Sequence, residues 1–213
     1  MLININFSRA YFGPNQHSAV PAVYLGITLD SQASESLHDS ESLMARWATD
    51  ALQDLLAAGK SAAGLHRLLP VLAGAVKHGL PALIETAIRQ MVAEIGESLA
   101  RIEIRPGSNR SCLDIILDTS ATEMVRRAAH LAIDLINALT ARHEGSEPLA
   151  RIQIDLNSLH HLAASRRPTM TQASILAIAA ERDIPVIRFD RWPFLTEDQD
   201  IPVDRRGVMQ LGQ

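Results

Sequence analysis

An alternating segment followed by a turn and a second apolar run constrains the fold of this chain more than any other feature. In the sequence RIEIR at residues 101–105, isoleucine occupies every second position, which is the period of a β-strand with one buried face. Residues 106–109, PGSN, are a turn sequence, and the apolar run CLDIILD follows at residues 112–118. These segments predict a β-hairpin with its isoleucines inward and its charged side chains outward.

Two strands are predicted before this hairpin. Residues 2–7 alternate between apolar and polar side chains, which places Ile3, Ile5 and Phe7 on one face. Residues 20–30 predict a second strand after a Gly-Pro-Asn turn. The chain is therefore expected to begin with part of a sheet.

Helical patterns dominate residues 39–96, where apolar residues recur every three or four positions. Pro70 is expected to kink or split one of these helices, because proline lacks the backbone N–H group that a helix interior needs. Pro81 suits the first turn of the next helix, and Gly96 suits its end. We therefore expect an all-helical insert between strands.

Residues 120–155 predict one more helix and one more strand. Ser120 and Glu123 have the spacing of a capping box, and the apolar stripe behind them continues to Leu139. The alternation RIQID at residues 151–155 is similar to that of the hairpin and predicts a strand. Together these patterns predict an α/β (α+β) fold with a mixed sheet and a helical insert.

The closing segment, residues 166–213, predicts a helix that leads directly into a strand. Thr169 and Gln172 have capping-box spacing, and residues 184–187 are a short apolar run. A helix followed by a strand is half of a βαβ unit, so we expect a second, incomplete domain after a first domain of residues 1–165. The buried face of this helix is predicted to consist of Ile175, Leu176, Ile178 and Ala179.

The composition excludes several classes of protein. A net charge of −4 argues against general nucleic-acid binding. No run reaches the ~18 apolar residues that a membrane span needs. The single cysteine, Cys112, excludes a disulfide framework and predicts a reducing compartment such as the cytoplasm.

No motif in the sequence predicts catalysis. Neither of the common glycine-rich phosphate-binding patterns occurs, and the histidines do not have the spacing of a metal site. We therefore expect no catalytic residue, no metal site and no cofactor in this chain, and no ATP hydrolysis or peptide ligation by it alone.

Arginines mark the candidate binding residues. Arg166 and Arg167 stand just before the predicted helix that Thr169 caps, where free backbone N–H groups favour anions. A solvated loop that caps its own helix is the alternative. Arg101 and Arg105, on the charged side of the predicted hairpin, suit a ligand that carries carboxylates, and an exposed sheet face without a ligand is the alternative there.

Three parts of the chain resemble the cyanophycin synthetases. The run TQASILAIAAERDIPVIRFD at residues 171–190 and the later MQLG resemble the segment that opens the ATP-grasp half of that family. The opening GPN, which ends at Asn15 and precedes Ser18, resembles the family's G-P-N-x-W-S, with His17 in place of the tryptophan. Residues 112–139 resemble its strand and helix with the pattern A-x-x-L-A-V-D-L-V-N-A-L.

The resemblance implies the N-terminal region of an ATP-dependent ligase that lengthens an aspartate–arginine polymer. It implies a non-catalytic binding or scaffolding role, with residues 166–213 as the start of an ATP-grasp domain and with ATP and Mg²⁺ bound only downstream. The expected partners are an acidic or zwitterionic peptide or polymer, with Asn15 among the binding residues, or the ligase domains of the same protein. A homo-oligomer is left open. The alternatives are an assembly module that packs through its helical insert and a small free-standing α/β enzyme with an arginine-lined anion site.

The arginine pair before the last predicted helix gives a first test. Replacing both residues, Arg166→Ala with Arg167→Ala, is expected to abolish binding of an aspartate-rich peptide at low salt, because a carboxylate would lose both guanidinium groups. The melting temperature should stay nearly unchanged, since a surface loop contributes little to stability. Equal binding by the double variant in a peptide titration would remove this anion site.

Overall fold

A computed structural model describes residues 2–30, 65–109, 111–140, 147–166, 170–182, 186–188 and 209–211. The strands and helices, in chain order, are β1 (Ile3–Tyr11), β2 (Ala22–Leu29), α1 (Leu65–Val76), α2 (Leu80–Glu94), β3 (Arg101–Pro106), β4 (Cys112–Asp118), α3 (Thr122–Thr140), α4 (Glu147–Arg166), α5 (Met170–Glu181), β5 (Val186–Arg188) and β6 (Met209–Leu211). The predicted α/β class is confirmed. The chain divides into two compact units, Met1–His160 and His161–Gln213, so the division falls within α4.

The first unit is built on a four-stranded sheet with the strand order β1-β2-β4-β3. The predicted hairpin is confirmed, because β3 pairs with β4 and Ile104 lies opposite Ile115. β2 pairs with both β1 and β4. All described pairings in this sheet are antiparallel, whereas a mixed sheet was expected, because the short β1–β2 and β3–β4 connections each reverse the chain direction.

A bulge in β1 reverses the direction of Phe7. Ile5 lies opposite Ile27, but Phe7 lies opposite Gly26, so one residue between Ile5 and Phe7 is extra in the pairing. Ile3 is fully buried, whereas Phe7 is 44% exposed. The prediction that Phe7 shares a face with Ile3 and Ile5 is therefore wrong, because one inserted residue moves the following side chains to the opposite face.

Helices cover one face of the sheet and form the core with it. α3 packs against β1, β2 and α2, and α2 also contacts β3. α1 packs against α2 and continues through Pro70, so the predicted split of this helix does not occur. α2 has Pro81 in its first turn, as predicted, and is followed by Gly96 at a φ of 75°, a conformation that glycine adopts without strain. The large side chains buried in this core include Leu68, Leu72, Ile84, Ile88 and Met91 from the helices and Leu25, Ile27 and Ile115 from the sheet.

The start of α3 departs from the predicted capping box. The Thr119 hydroxyl accepts a hydrogen bond from the backbone N–H of Ala121 at 3.1 Å. Glu123 instead pairs with Arg126 at 2.8 Å and with Arg127 at 3.1 Å. Because the Glu123 carboxylate binds these two guanidinium groups further along the helix, it does not bind the backbone N–H of Ser120 as a capping box requires.

Residues 151–155 lie in α4, so the strand predicted there is wrong. Ile152 and Leu156 are buried, while Ile154 is 64% exposed. Leu159 is the next buried position, which continues a helical spacing. The alternation covers less than two helical turns, and the longer helical period that follows it decides the structure.

The second unit contains α5 and a two-stranded antiparallel sheet of β5 and β6. Thr169, the predicted cap of α5, and the side chain of Leu176 lie outside the described residues. The prediction that Ile175 and Ile178 are buried is wrong, because they are 36% and 50% exposed, whereas Ala179 is buried as predicted. Apolar residues lie on every side of this helix, so their spacing does not select one face.

A buried asparagine joins α3 to the first strand. Asn137 Oδ1 accepts hydrogen bonds from the backbone N–H groups of Leu2 and Ile3 at 3.0 and 2.8 Å. Asn137 Nδ2 donates to the carbonyl oxygen of Ile3 at 2.8 Å. The asparagine is 9% exposed, so its amide replaces water for three backbone groups at the edge of the sheet. These contacts fix the start of β1 against α3.

Removing this amide is expected to destabilise the fold. Asn137→Ala leaves buried N–H and C=O groups of β1 without this partner, so we expect the free energy of unfolding to fall by about 2–4 kcal/mol. Chemical denaturation measures the change. Asn157→Ala, at an exposed position of α4, is the matched control and should change the free energy of unfolding by less than about 0.5 kcal/mol. A similar small change for Asn137→Ala would show that water takes over the contacts of the amide.

Candidate functional site

The face of the four-stranded sheet opposite α2 and α3, which we call the outer face, carries polar and aromatic side chains. The strand register places Arg101 opposite Asp118, and Arg105 opposite Asp114. The bulge brings Phe7 to the same face. The outer face is defined by Phe7, Arg9, Tyr24, Arg101, Glu103, Arg105, Asp114 and Asp118.

Charged residues of β3 form a chain of ion pairs that continues onto β4. Arg101 Nε donates to Asp118 Oδ2 at 2.8 Å. Arg101 Nη1 lies 3.0 Å from Glu103 Oε2, where the two form an ion pair but not a hydrogen bond. Arg105 Nε donates a hydrogen bond to the other carboxylate oxygen, Glu103 Oε1. Glu103 therefore bridges two guanidinium groups. The hydrogen bond from Arg105 holds the pKa of the Glu103 carboxyl below its ordinary value.

The ion-paired residues of the outer face keep unused donors and acceptors. The side chains of Arg101 and Arg105 are 46% and 50% exposed. A guanidinium group has five N–H donors, and within the residues that the structure describes Arg105 donates a hydrogen bond only through Nε. Asp118 Oδ1 is buried and has no hydrogen-bond partner in the same residues. The terminal nitrogens of Arg105 are therefore open to an external carboxylate.

An aromatic cluster lies beside the charged residues. The ring centroids of Phe7 and Tyr24 are 4.9 Å apart, with the rings inclined at 34°. His17 stacks on Tyr24 with the centroids 4.3 Å apart and the planes within 9° of parallel, and Tyr11 lies 5.7 Å from His17. Because His17 belongs to the loop between β1 and β2, this loop folds back over the outer face.

Asn15 shapes the loop that carries His17. Asn15 Oδ1 accepts hydrogen bonds from the backbone N–H groups of His17 and Ser18 at 2.8 and 3.1 Å. Its Nδ2 donates to the carbonyl oxygen of Gly13 at 3.1 Å. Both ends of the amide therefore bind the loop itself, in the manner of an Asx turn. This places Asn15 as a residue that positions His17 on Tyr24, and its predicted contact with a ligand stays a prediction.

Tyr24 connects the aromatic cluster to the acidic residues. Asp114 lies diagonally across from Tyr24 on β4, within reach of an aromatic side chain. Burial, together with the neighbouring Asp114 carboxylate, raises the pKa of Tyr24 to about 12. Tyr24 therefore remains a hydrogen-bond donor at neutral pH.

A second polar cluster lies where β1 contacts α3. His130 Nε2 and Ser8 Oγ are 2.9 Å apart, and Arg126 Nη1 lies 3.4 Å from the same oxygen. Burial and the charge of Arg126 hold the pKa of His130 below its ordinary value, so the ring is neutral at neutral pH. A serine beside a neutral histidine is part of a nucleophile–base arrangement. Across the described ranges, however, no carboxylate hydrogen-bonds to the other ring nitrogen, so the group that would orient the histidine is missing.

The predicted arginine sites have different outcomes. Arg101 and Arg105 lie together on the outer face, on the side of the hairpin that the alternation predicts. Arg166 is the last residue of α4, but its side chain lies outside the described residues, as do Arg167 and Thr169. The anion site at these three residues therefore stays a prediction.

Two features of the site leave no signal in the local sequence pattern. The outward direction of Phe7 depends on the bulge in β1, which leaves no mark on the apolar–polar pattern. The contact between Ser8 and His130 joins residues 122 positions apart, so no local motif contains it. Only the packing of α3 on the sheet brings that pair together.

Comparison with known proteins adds no family to this geometry. No protein-family model matches the chain, and no curated protein matches it. None of the helices in the described ranges is long and apolar enough to cross a membrane. In the same ranges, no group of three or more histidine, cysteine, aspartate or glutamate side chains is placed to hold a metal ion.

The raised pKa of Tyr24 can be measured directly. The chain has 2 tyrosines, so the ultraviolet absorbance of phenolate follows both of them. We expect one transition at about pH 12 that is absent in Tyr24→Phe, with circular dichroism as the check that the sheet stays folded. Asp114→Asn removes the carboxylate, so this transition should move to lower pH, whereas Asp155→Asn on α4 should leave it in place. An unchanged transition in Asp114→Asn would show that burial alone raises the pKa.

Proposed function

We propose that this chain is a non-catalytic binding region of a cyanophycin synthetase-like, ATP-dependent peptide ligase of the cytoplasm, and that the outer face holds the peptide or polymer substrate. One observation carries the proposal. Charges of both signs alternate along Arg101, Glu103 and Arg105, beside Asp114 and Asp118, with exposed guanidinium donors. ATP and Mg²⁺ would bind to the downstream ATP-grasp domain that the resemblance implies.

A zwitterionic ligand fits the outer face better than a purely acidic one. The guanidinium groups of Arg9, Arg101 and Arg105 are matched in number by the carboxylates of Glu103, Asp114 and Asp118. The whole chain has a net charge of −4, so a purely acidic polymer is repelled at long range. A polymer that alternates aspartate and arginine can pair with both kinds of group on this face.

The affinity for a single repeat of such a polymer is expected to be low. Exposed ion pairs contribute ~0.2–1 kcal/mol each, and several charges of the outer face already have internal partners. Linked repeats add their contributions, because each contact after the first is intramolecular. A long polymer is therefore held much more tightly than a dipeptide, which suits a region that retains a growing chain.

The two alternative functions have less support in the described residues. The large apolar side chains of α1 and α2 lie in the core, with Val71 as an exception at 42% exposure, so this part of the helical insert offers little apolar surface for assembly. Residues 39–64 of the insert lie outside the described residues. The enzyme alternative depends on an anion site at Arg166 and Arg167, and the side chains of both lie outside the residues that the structure describes. The Ser8–His130 pair does not replace that site, because an orienting carboxylate is missing among the described residues.

The proposal predicts a specific role for Arg105. In a fluorescence anisotropy titration with a labelled peptide of alternating aspartate and arginine, Arg105→Gln should weaken binding about threefold at low salt, because it removes open guanidinium donors. Affinity should rise with the number of repeats and fall with added salt. Arg89→Gln is the matched control, because Arg89 is also an exposed arginine in an ion pair, 2.9 Å from Glu85 on α2, and this substitution should not change binding.

Two outcomes of this titration would contradict the proposal. One is an equal effect of Arg105→Gln and Arg89→Gln, which would indicate a response to net charge alone. The other is tighter binding of a poly-aspartate peptide than of the alternating peptide of the same length. Melting temperatures verify that both variants fold, as expected for substitutions in exposed ion pairs.

A further inference from the structure

Phe7 is an exposed aromatic ring that the fold holds in one place. The bulge turns Phe7 to the outer face, where it is 44% exposed. The ring lies over Gly26 of the neighbouring strand, and a Cβ atom at Gly26 would lie 2.8 Å from Phe7 Cδ1, so a side chain there would displace the ring. The Tyr24 ring packs against it at a tilt, with the two ring centroids 4.9 Å apart. A large apolar ring that is fixed and half exposed is a suitable contact surface for a ligand.

A carboxylate without an ion-pair partner lies beside this ring. In the strand register Asp114 lies opposite Gly26, the residue that the Phe7 ring covers. Neighbouring strands are ~4.8 Å apart, so Asp114 is close to the ring. Throughout the described ranges, no lysine, arginine or histidine lies within ion-pair distance of Asp114. Arg105 is its register partner on β3 but directs Nε to Glu103 instead. The Asp114 carboxylate therefore has no cation in direct contact among the described residues, although the charge of Arg105 is close enough to interact with it.

An aromatic ring beside an open carboxylate favours a planar cation. The face of the ring attracts a cation within ~6 Å of its centroid, and the carboxylate supplies the opposite charge and hydrogen-bond acceptors. A guanidinium group fits better than an ammonium group, because it is planar, stacks on rings and is more weakly hydrated.

We propose that Phe7, Tyr24 and Asp114 form a binding subsite for the guanidinium group of an arginine side chain, stacked on Phe7 and hydrogen-bonded to Asp114. Tyr24 is the positioning residue of this subsite, because its ring lies against Phe7 with the centroids 4.9 Å apart and it stands diagonally across from Asp114 in the strand register. The inference rests on the proposed function and names the groups that recognise the basic part of the ligand.

The surrounding charges determine which arginine-containing ligands fit. Arg9 follows Phe7 by two positions on the outer face of β1, and Arg105 lies opposite Asp114 on β3. These two cations repel a basic peptide and attract carboxylates on either side of the subsite. The subsite therefore selects an arginine whose neighbours are acidic over an arginine in a basic sequence.

Nuclear magnetic resonance titrations of the whole chain test the subsite. The probes are acetyl-aspartyl-arginine amide and its neutral isostere acetyl-aspartyl-citrulline amide. We expect the arginine compound to shift the ring signals of Phe7 and Tyr24 and the citrulline compound to leave them nearly unchanged. Phe7→Leu should weaken binding about two- to fivefold, as expected for an exposed cation–π contact. Phe12→Leu is the matched control, because Phe12 is 47% exposed in the loop after β1, and it should bind like the unsubstituted protein.

Asp114→Asn provides a second variant that leaves the ring packing intact, and it should also weaken binding at least twofold. Equal shifts with both probes, or unchanged affinity in Phe7→Leu and Asp114→Asn, would overturn the subsite. Binding that depends on Arg105 but not on Phe7 would leave the proposed function standing without the subsite. Binding that depends on Phe7 and Asp114 but not on Arg105 would leave the subsite standing without the proposed role of Arg105. No binding of either probe would overturn the subsite alone, because the proposed function itself expects a low affinity for a single repeat.

Discussion

The hydrogen bonds of Asn137 are the contact on which the first unit depends. They hold the beginning of the edge strand β1 to α3, with Ile3 fully buried as the first inward side chain. From this fixed start the side chains alternate until the bulge, which turns Phe7 outward and Ser8 inward. Ser8 then contacts His130 on α3, while Phe7 joins the outer face. One buried amide and one inserted residue therefore determine what each face of the sheet presents.

Two nearly identical hexapeptides show how far local pattern predicts this fold. The sequence LARIEI at residues 99–104 leads into β3, whereas LARIQI at residues 149–154 is part of α4. Alternation over six residues is compatible with both structures, because it covers fewer than two helical turns. The first hexapeptide is followed by a Pro-Gly turn and an apolar partner strand. The second is followed by Leu156 and Leu159, buried at helical spacing, so the flanking sequence decides between strand and helix.

The candidate site could be predicted only where it depends on the two-residue period of a strand. Arg105 points outward because it alternates with the isoleucines of the hairpin, and the short turn then fixes Asp114 opposite Arg105. The place of Phe7 follows from a bulge, which changes the face of a side chain without changing the sequence pattern. The contact of Ser8 with His130 follows from the packing of α3 on the sheet, which is a property of the whole unit.

In the proposed function, stability and recognition are divided between the two faces of the same strands. Each large apolar side chain buried on the inner face contributes ~1.5–3 kcal/mol, whereas each exposed ion pair of the outer face contributes ~0.2–1 kcal/mol. A ligand carboxylate that replaces Glu103 as the partner of Arg105 therefore changes little of the free energy of folding. Because the internal and external partners are of similar strength, each charged contact is weak and reversible. In the proposed subsite, discrimination between ligands depends on the Phe7 ring, whose position is set by the bulge and by the space above Gly26.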